Sequence, residues 1–213
     1  MERQKKQSGF GLISSLVLLP FIPLAVLVEE GISAAWTNQI HINKEIVMAR
    51  EATSIDVEPG QYYRGGTRVQ LPRARLSFVI PQEWVGAMPP GSRSFFLDSH
   101  KKPGTGIVTI VHDVTPQELL DHLNEPQVIE EGFVLHPIGS AKLSGDRITA
   151  SYHSGEQLGK ALAVLGHEQT AALYLFVGPK EETAYYEGLL EQLAGSTQFK
   201  SDETEKTGRQ EGI

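Results

Sequence analysis

The sequence predicts an α+β domain, an antiparallel sheet flanked by helices, lying behind an N-terminal hydrophobic segment. Three stretches carry that expectation. "RLSFVIP" sets Leu76, Phe78 and Ile80 against Arg75, Ser77 and Val79, the period of two that gives a strand one buried face. "TIVHDVTPQELLDHLNEP" contains a complete helix start. "AALYLFV" is apolar throughout and bracketed by turn signals, as in a strand covered on both faces.

Residues 36–66 show no clean period and carry Glu58-Pro59-Gly60 and Arg64-Gly65-Gly66 as turn signals, so they read as a spacer, with one short helix over residues 40–52. Order begins near Thr67. Pro81 ends the first strand because it brings no N–H to the ladder. Residues 94–97 and 106–111 read as the next two strands, separated by the Lys101-Lys102-Pro103-Gly104 turn. In the helix that follows, Thr115 is the N-cap, Pro116 takes the first helical position and Glu118 closes a capping box, with Leu119, Leu120 and Leu123 facing inward. Residues 133–137 form another strand. Segments 148–153, 160–165 and 171–177 then alternate with turns at Ser144-Gly145-Asp146, Ser154-Gly155-Glu156 and Gly166-His167-Glu168-Gln169. Turns this short force antiparallel neighbours, so the region is a meander. The last of its strands belongs at the centre of the sheet, and its covers are expected to be helices. Residues 115–124 supply one helix and residues 181–194 the other, with Tyr186, Leu189, Leu190 and Leu193 at helical spacing. The tail, residues 201–213, has no large apolar residue before its last position and reads as disordered. The resulting partition is a signal or anchor segment (1–35), a spacer (36–66), a globular domain (67–200) and a tail (201–213).

Composition bounds the chemistry. The 213 residues include no cysteine, which removes disulfides, a lipobox anchor, thiolate catalysis and Cys-ligated zinc, so the fold stands on packing alone. A domain of ~130–150 residues buries enough surface to do so. The formal net charge is -7, and within residues 1–35 Arg3, Lys5 and Lys6 cancel Glu2, Glu29 and Glu30, so the rest of the chain carries that charge. An acidic surface repels phosphate, and no nucleic-acid partner is expected.

The uncharged run over residues 12–28 is long for a signal-peptide core and at the lower limit for a spanning helix. Basic residues precede it and Glu29-Glu30 follow, which places the N-terminus in the cytoplasm and the body outside the inner membrane. Ser33-Ala34-Ala35 offers small residues for cleavage after Ala35, which would release a soluble periplasmic or secreted body. A third reading comes from resemblance. Lys6-Gln7-Ser8-Gly9-Phe10-Gly11-Leu12-Ile13 is similar to the processing site of type IV prepilins, but Ser14 stands where that family usually has glutamate. Anchor, cleaved signal and pilin-like tail all export the domain.

Over residues 67–200 the chain resembles the PsbP-like and DcrB-like α/β/α sandwich domains, through "FVIPQEW", "TPQELLDHL", "ITASYHSGEQLGKALAVLG" and "LLEQLAGSTQF" in that order. The resemblance implies a largely non-catalytic protein of the envelope or thylakoid lumen that binds or assists a larger assembly. It assigns no binding residue.

Few residues suggest chemistry. His167-Glu168 is not followed by the second histidine of an HExxH zinc helix. His112-Asp113, at a strand end, would suit acid-base catalysis if the aspartate were buried and oriented the imidazole; otherwise it is a polar strand terminus. His153, Glu156 and His167 would hold zinc or copper only if their two hairpins stood side by side. Nucleophile-elbow, Walker and dinucleotide signatures are absent from the sequence. No catalytic residue, cofactor or metal is assigned. For recognition, Trp84 in the loop "EWVGAMPPGSRS" and Tyr185 are possible partner contacts; Trp84 is otherwise a cap on the core beside Phe78, Tyr185 should be at least partly exposed and Tyr186 buried. The expected role is an exported, membrane-anchored or secreted binding or assembly module of the cell envelope with an unidentified protein partner. A metal-dependent envelope enzyme and a pilin-like structural subunit are the alternatives.

Overall fold

The computed structural model describes residues 54–71, 76–130 and 132–200. The apolar run at 12–28, the prepilin-like stretch, the short helix read over 40–52 and the tail at 201–213 lie outside them. Among the described residues no helix is long and apolar enough to cross a membrane.

Two sheets and two α-helices make up the fold. The small sheet joins β1 (Ile55–Asp56), β3 (Arg68–Leu71), β4 (Leu76–Val79) and β14 (Gln198–Phe199), with β1 parallel to β3 and the other pairs antiparallel. The large sheet is antiparallel and runs β2 (Tyr62–Arg64), β5 (Val85–Ala87), β6 (Phe95–Asp98), β7 (Thr105–Val111), β13 (Ala171–Pro179), β12 (Gln157–Leu165), β11 (Arg147–Ser154), β9 (Phe133–Pro137), β8 (Gln127–Glu130). A short β10 (Lys142–Ser144) pairs with β11 on the same edge as β9. Helix α1 (Pro116–Leu123) follows β7, and α2 (Thr183–Ser196) follows β13 through one 3-10 turn.

The long antiparallel pairs are where the sequence said they would be. β11 and β12 match from Arg147↔Val164 to Ser154↔Gln157, and β12 and β13 from Gln157↔Pro179 to Leu165↔Ala171. The turn that joins β11 to β12 needs left-handed backbone at Gly155 (φ 58°), which glycine adopts without a Cβ clash. Helix α1 has the predicted cap: Glu118 N–H donates to the Thr115 hydroxyl at 3.2 Å and Thr115 N–H donates to the Glu118 carboxylate at 2.9 Å. The Thr115 N–H and the Thr115 hydroxyl, which donates to the same carboxylate at 2.7 Å, hold the Glu118 carboxyl below its ordinary value.

β13 has two buried faces, as its unbroken apolar run requires. Ala172, Tyr174 and Phe176 enter one core, and Ala171 and Leu175 the other. The second core is closed by Leu119 and Leu123 of α1 over Leu135, Ile148, Tyr152, Ala161 and Ala163. In the first core the cover is not helix alone. Tyr186, Leu189, Leu190 and Leu193 of α2 share it with Val69, Leu71, Leu76 and Phe78 of the small sheet, and Phe78 meets Tyr174 edge-to-face at 6.0 Å. The domain is thus α+β but richer in sheet than the sequence suggests, because a second sheet does half the work expected of a helix. The spacer also needs correction: within residues 54–66, β1 and β2 pair into the two sheets and Val57 and Tyr63 are buried.

Candidate functional site

Trp84 is 1% exposed, which corrects its reading as a partner contact. The chain turns sharply through Gln82 and Glu83, Trp84 N–H donating back to Pro81 O at 3.1 Å, and this swings the indole inward. There it meets Phe176 edge-to-face at 5.0 Å and donates Nε1–H to the Tyr185 hydroxyl at 2.9 Å. Tyr185 is half-buried, stacked on Trp84 at 6.5 Å with Lys102 Nζ 5.1 Å from its ring centre. Its hydroxyl and part of its ring are therefore committed to holding Trp84 in place.

His112 and Asp113 are both exposed, so no buried carboxylate orients the imidazole. Val114 N–H donates to Gln169 O at 3.0 Å, and the pair ends its strand against a neighbouring turn. The His153, Glu156 and His167 constellation is excluded by topology. Consecutive turns of a meander lie at opposite ends of the strand between them, and the nine residues of β12 span ~30 Å. Glu156 instead pairs with Lys180 at 2.7 Å. Among the described residues no group of three or more His, Cys, Asp or Glu side chains is placed to hold a metal ion.

Among the described residues, one half of the large sheet has an exposed face. Along β11, buried Ile148, Ala150 and Tyr152 alternate with Arg147, Thr149, Ser151 and His153, which look toward the α2 side. Among the described residues helix α2 packs on β12, β13 and β4 and reaches β11 through the Arg147–Glu191 ion pair. Thr149, His136 and His153 are exposed on this face, as is Val128 at 54%. Between this face and the helix lies a groove of about 440 Å³, lined by Thr149, Ser151, Lys160, Glu187, Gly188 and Glu191. Its charges are paired across it. Lys160 Nζ sits 2.8 Å from Glu187 and donates to Ser151 Oγ at 3.1 Å, while Arg147 reaches Glu191 at 2.6 Å. The groove thus carries paired charges, close to neutral, beside apolar lining from Ala150, Ala161, Leu162 and Leu190, and it is open to solvent.

Sequence reasoning singled out His153 on this face but missed Thr149, His136 and Lys160. The alternation of β11 was available as a signal, since each polar residue faces away from an apolar one. The β9–β11 pairing was not, because β10 lies between those strands in the chain.

No family model matches the chain, and no curated protein matches it. Among solved structures it is similar to the cyanobacterial PsbP of Synechocystis sp. PCC 6803, with 14% identity over 66% of this chain and 92% of that one and a TM-score of 0.43. It is also similar to the Ran-binding protein Mog1p of Saccharomyces cerevisiae, with 11% identity over 64% of this chain and 96% of that one and a TM-score of 0.40. A structure from Bacteroides thetaiotaomicron VPI-5482 matches at 12% identity and a TM-score of 0.39, covering 68% of this chain and 50% of the other. PsbP, the family the sequence resembles, is thus among the structures to which this chain is similar, and no partner or residue role is carried over from any of them.

Proposed function

We propose that this chain is an exported, non-catalytic binding or assembly module of the cell envelope, with a PsbP-like α/β/α arrangement, that engages a protein partner through the open half of its sheet. Export follows from the N-terminal segment, basic before residues 12–28 and acidic after, whether it anchors the chain or is cleaved after Ala35. The observation that carries the binding role is the alternation of β11. It buries every second residue and leaves Thr149 and His153 exposed on a face that helix α2 covers only in part. A groove this open does not enclose a small ligand, which ordinarily loses ~70–90% of its surface to its site. It suits the extended surface of another protein, with a polar rim and no single dominating charge.

Photo-cross-linking in the envelope tests this. A benzophenone side chain placed at Thr149 is expected to give one adduct of defined mass, whereas the same group at Gln117, exposed on α1 across the sheet, gives none. Equal yields at the two positions, or an adduct only from Gln117, would move recognition away from this face.

A further inference from the structure

On the open face, β9 and β11 place His136 directly opposite His153. Their rings lie 5.9 Å apart, centre to centre, with planes inclined at 41°. Both side chains are exposed. We propose that this cross-strand pair is a two-imidazole site for a borderline divalent cation of the zinc, copper and nickel group, independent of any protein partner the face takes.

The geometry sets the argument. Ile138 N–H donates to Ser151 O at 2.7 Å, so the alternation of the ladder makes His136 and His153 a hydrogen-bonded pair, with Cα atoms roughly 5.5 Å apart. With Zn–N bonds of ~2.1 Å, two imidazoles on one tetrahedral ion have ring centres about 5.3 Å apart. Small χ rotations of two exposed rings close the remaining distance without moving the backbone.

Electrostatics permit it. Lys160 and Arg147 on this face are paired with Glu187 and Glu191. Lys142, opposite Thr149, stands four residues, ~13 Å, along β11 from His153, beyond a Debye length at physiological salt. Two nitrogen donors select borderline metals and leave magnesium and calcium, which require oxygen, unbound. The remaining coordination positions face solvent and are filled by water.

The test is calorimetric titration of the untagged full chain in detergent with Zn²⁺, Cu²⁺ and Mg²⁺ salts. One Zn²⁺ or Cu²⁺ per chain is expected, and no Mg²⁺. His136→Gln and His153→Gln are each expected to weaken binding by about tenfold or more, since even an outer partner of a metal ligand is worth ~10–100-fold. His167→Gln should leave it unchanged. Both imidazoles are exposed, so the variants fold, which their circular dichroism checks. Absence of Zn²⁺ and Cu²⁺ binding, or binding indifferent to both substitutions, or binding lost with His167→Gln, would overturn the proposal.

Discussion

Trp84→Ala is expected to remove a large share of the stability of the domain, about 3–5 kcal/mol out of a total that for a domain of this kind is ~5–15 kcal/mol. The indole is almost wholly buried, so the substitution leaves a cavity against Phe176 as well as losing the transfer free energy of the ring. It also deprives the Tyr185 hydroxyl of its donor. Trp84→Phe keeps an aromatic ring in the cavity and should cost much less, roughly 1–2 kcal/mol, because the half-buried Tyr185 hydroxyl can turn to water. Urea unfolding followed by circular dichroism measures both. A Trp84→Ala protein within ~0.5 kcal/mol of the parent would have the behaviour of a surface residue and would return Trp84 to the role of partner contact.

The second large effect is alkaline unfolding. Tyr152, Tyr174 and Tyr186 are fully buried, and each donates its hydroxyl proton or shares it with a hydroxyl. Tyr152 donates to Leu123 O at 2.7 Å, which ties α1 to β11, and Tyr186 donates to Pro103 O at 2.8 Å. Burial pushes the phenols of Tyr152 and Tyr174 well above the ordinary tyrosine range, and burial, with Glu182 and Tyr185 adding to it, pushes Tyr186 up to about 12. A folded-state pKa above the unfolded value means that the neutral form is favoured in the folded state. The corresponding stability is complete below pH ~10, where unfolded tyrosine is still protonated, and is lost as the pH rises toward the raised folded values. The urea midpoint should therefore fall steeply above pH 10. Absorbance at 295 nm should show these phenols ionising together with unfolding. Tyr152→Phe and Tyr174→Phe should each flatten the fall. If Tyr152, Tyr174 and Tyr186 ionise near pH 10 while the domain stays folded, the burial assigned to them is wrong.

The same residues explain how far the sequence could be read. β4, β7, β11, β12 and β13 are long or regular enough for period and turn chemistry to mark them, and α1 announces itself through Thr115, Pro116 and Glu118. β1, β2, β5, β10 and β14 have two or three residues each, too few for a period to show, and they find their places only because neighbouring strands present free edges. That is why residues 54–66 pass for a spacer and why the second sheet is not foreseen. Trp84 sits in a segment rich in Pro and Gly, the usual signature of an exposed loop, and only the turn at Gln82-Glu83 and the cavity beside Phe176 make it core. On the candidate face, His153 was legible as a polar residue of an alternating strand. Its neighbour was not: local reasoning paired it with Glu156 and His167, whereas the register pairs it with His136, from a strand that is not adjacent in sequence.

The proposed envelope role requires the body to stand outside the cytoplasm and to present the β11 face there. The chain has no cysteine, so a single Thr149→Cys substitution in the full chain reports on that position alone. Spheroplasts of a bacterial host expressing this variant are treated with a membrane-impermeant maleimide, before and after lysis. The account predicts full labelling before lysis, on protein recovered with the membranes if residues 12–28 anchor it or in the soluble envelope fraction if the chain is cut after Ala35. Labelling that appears only after lysis would put the domain in the cytoplasm and contradict the envelope role.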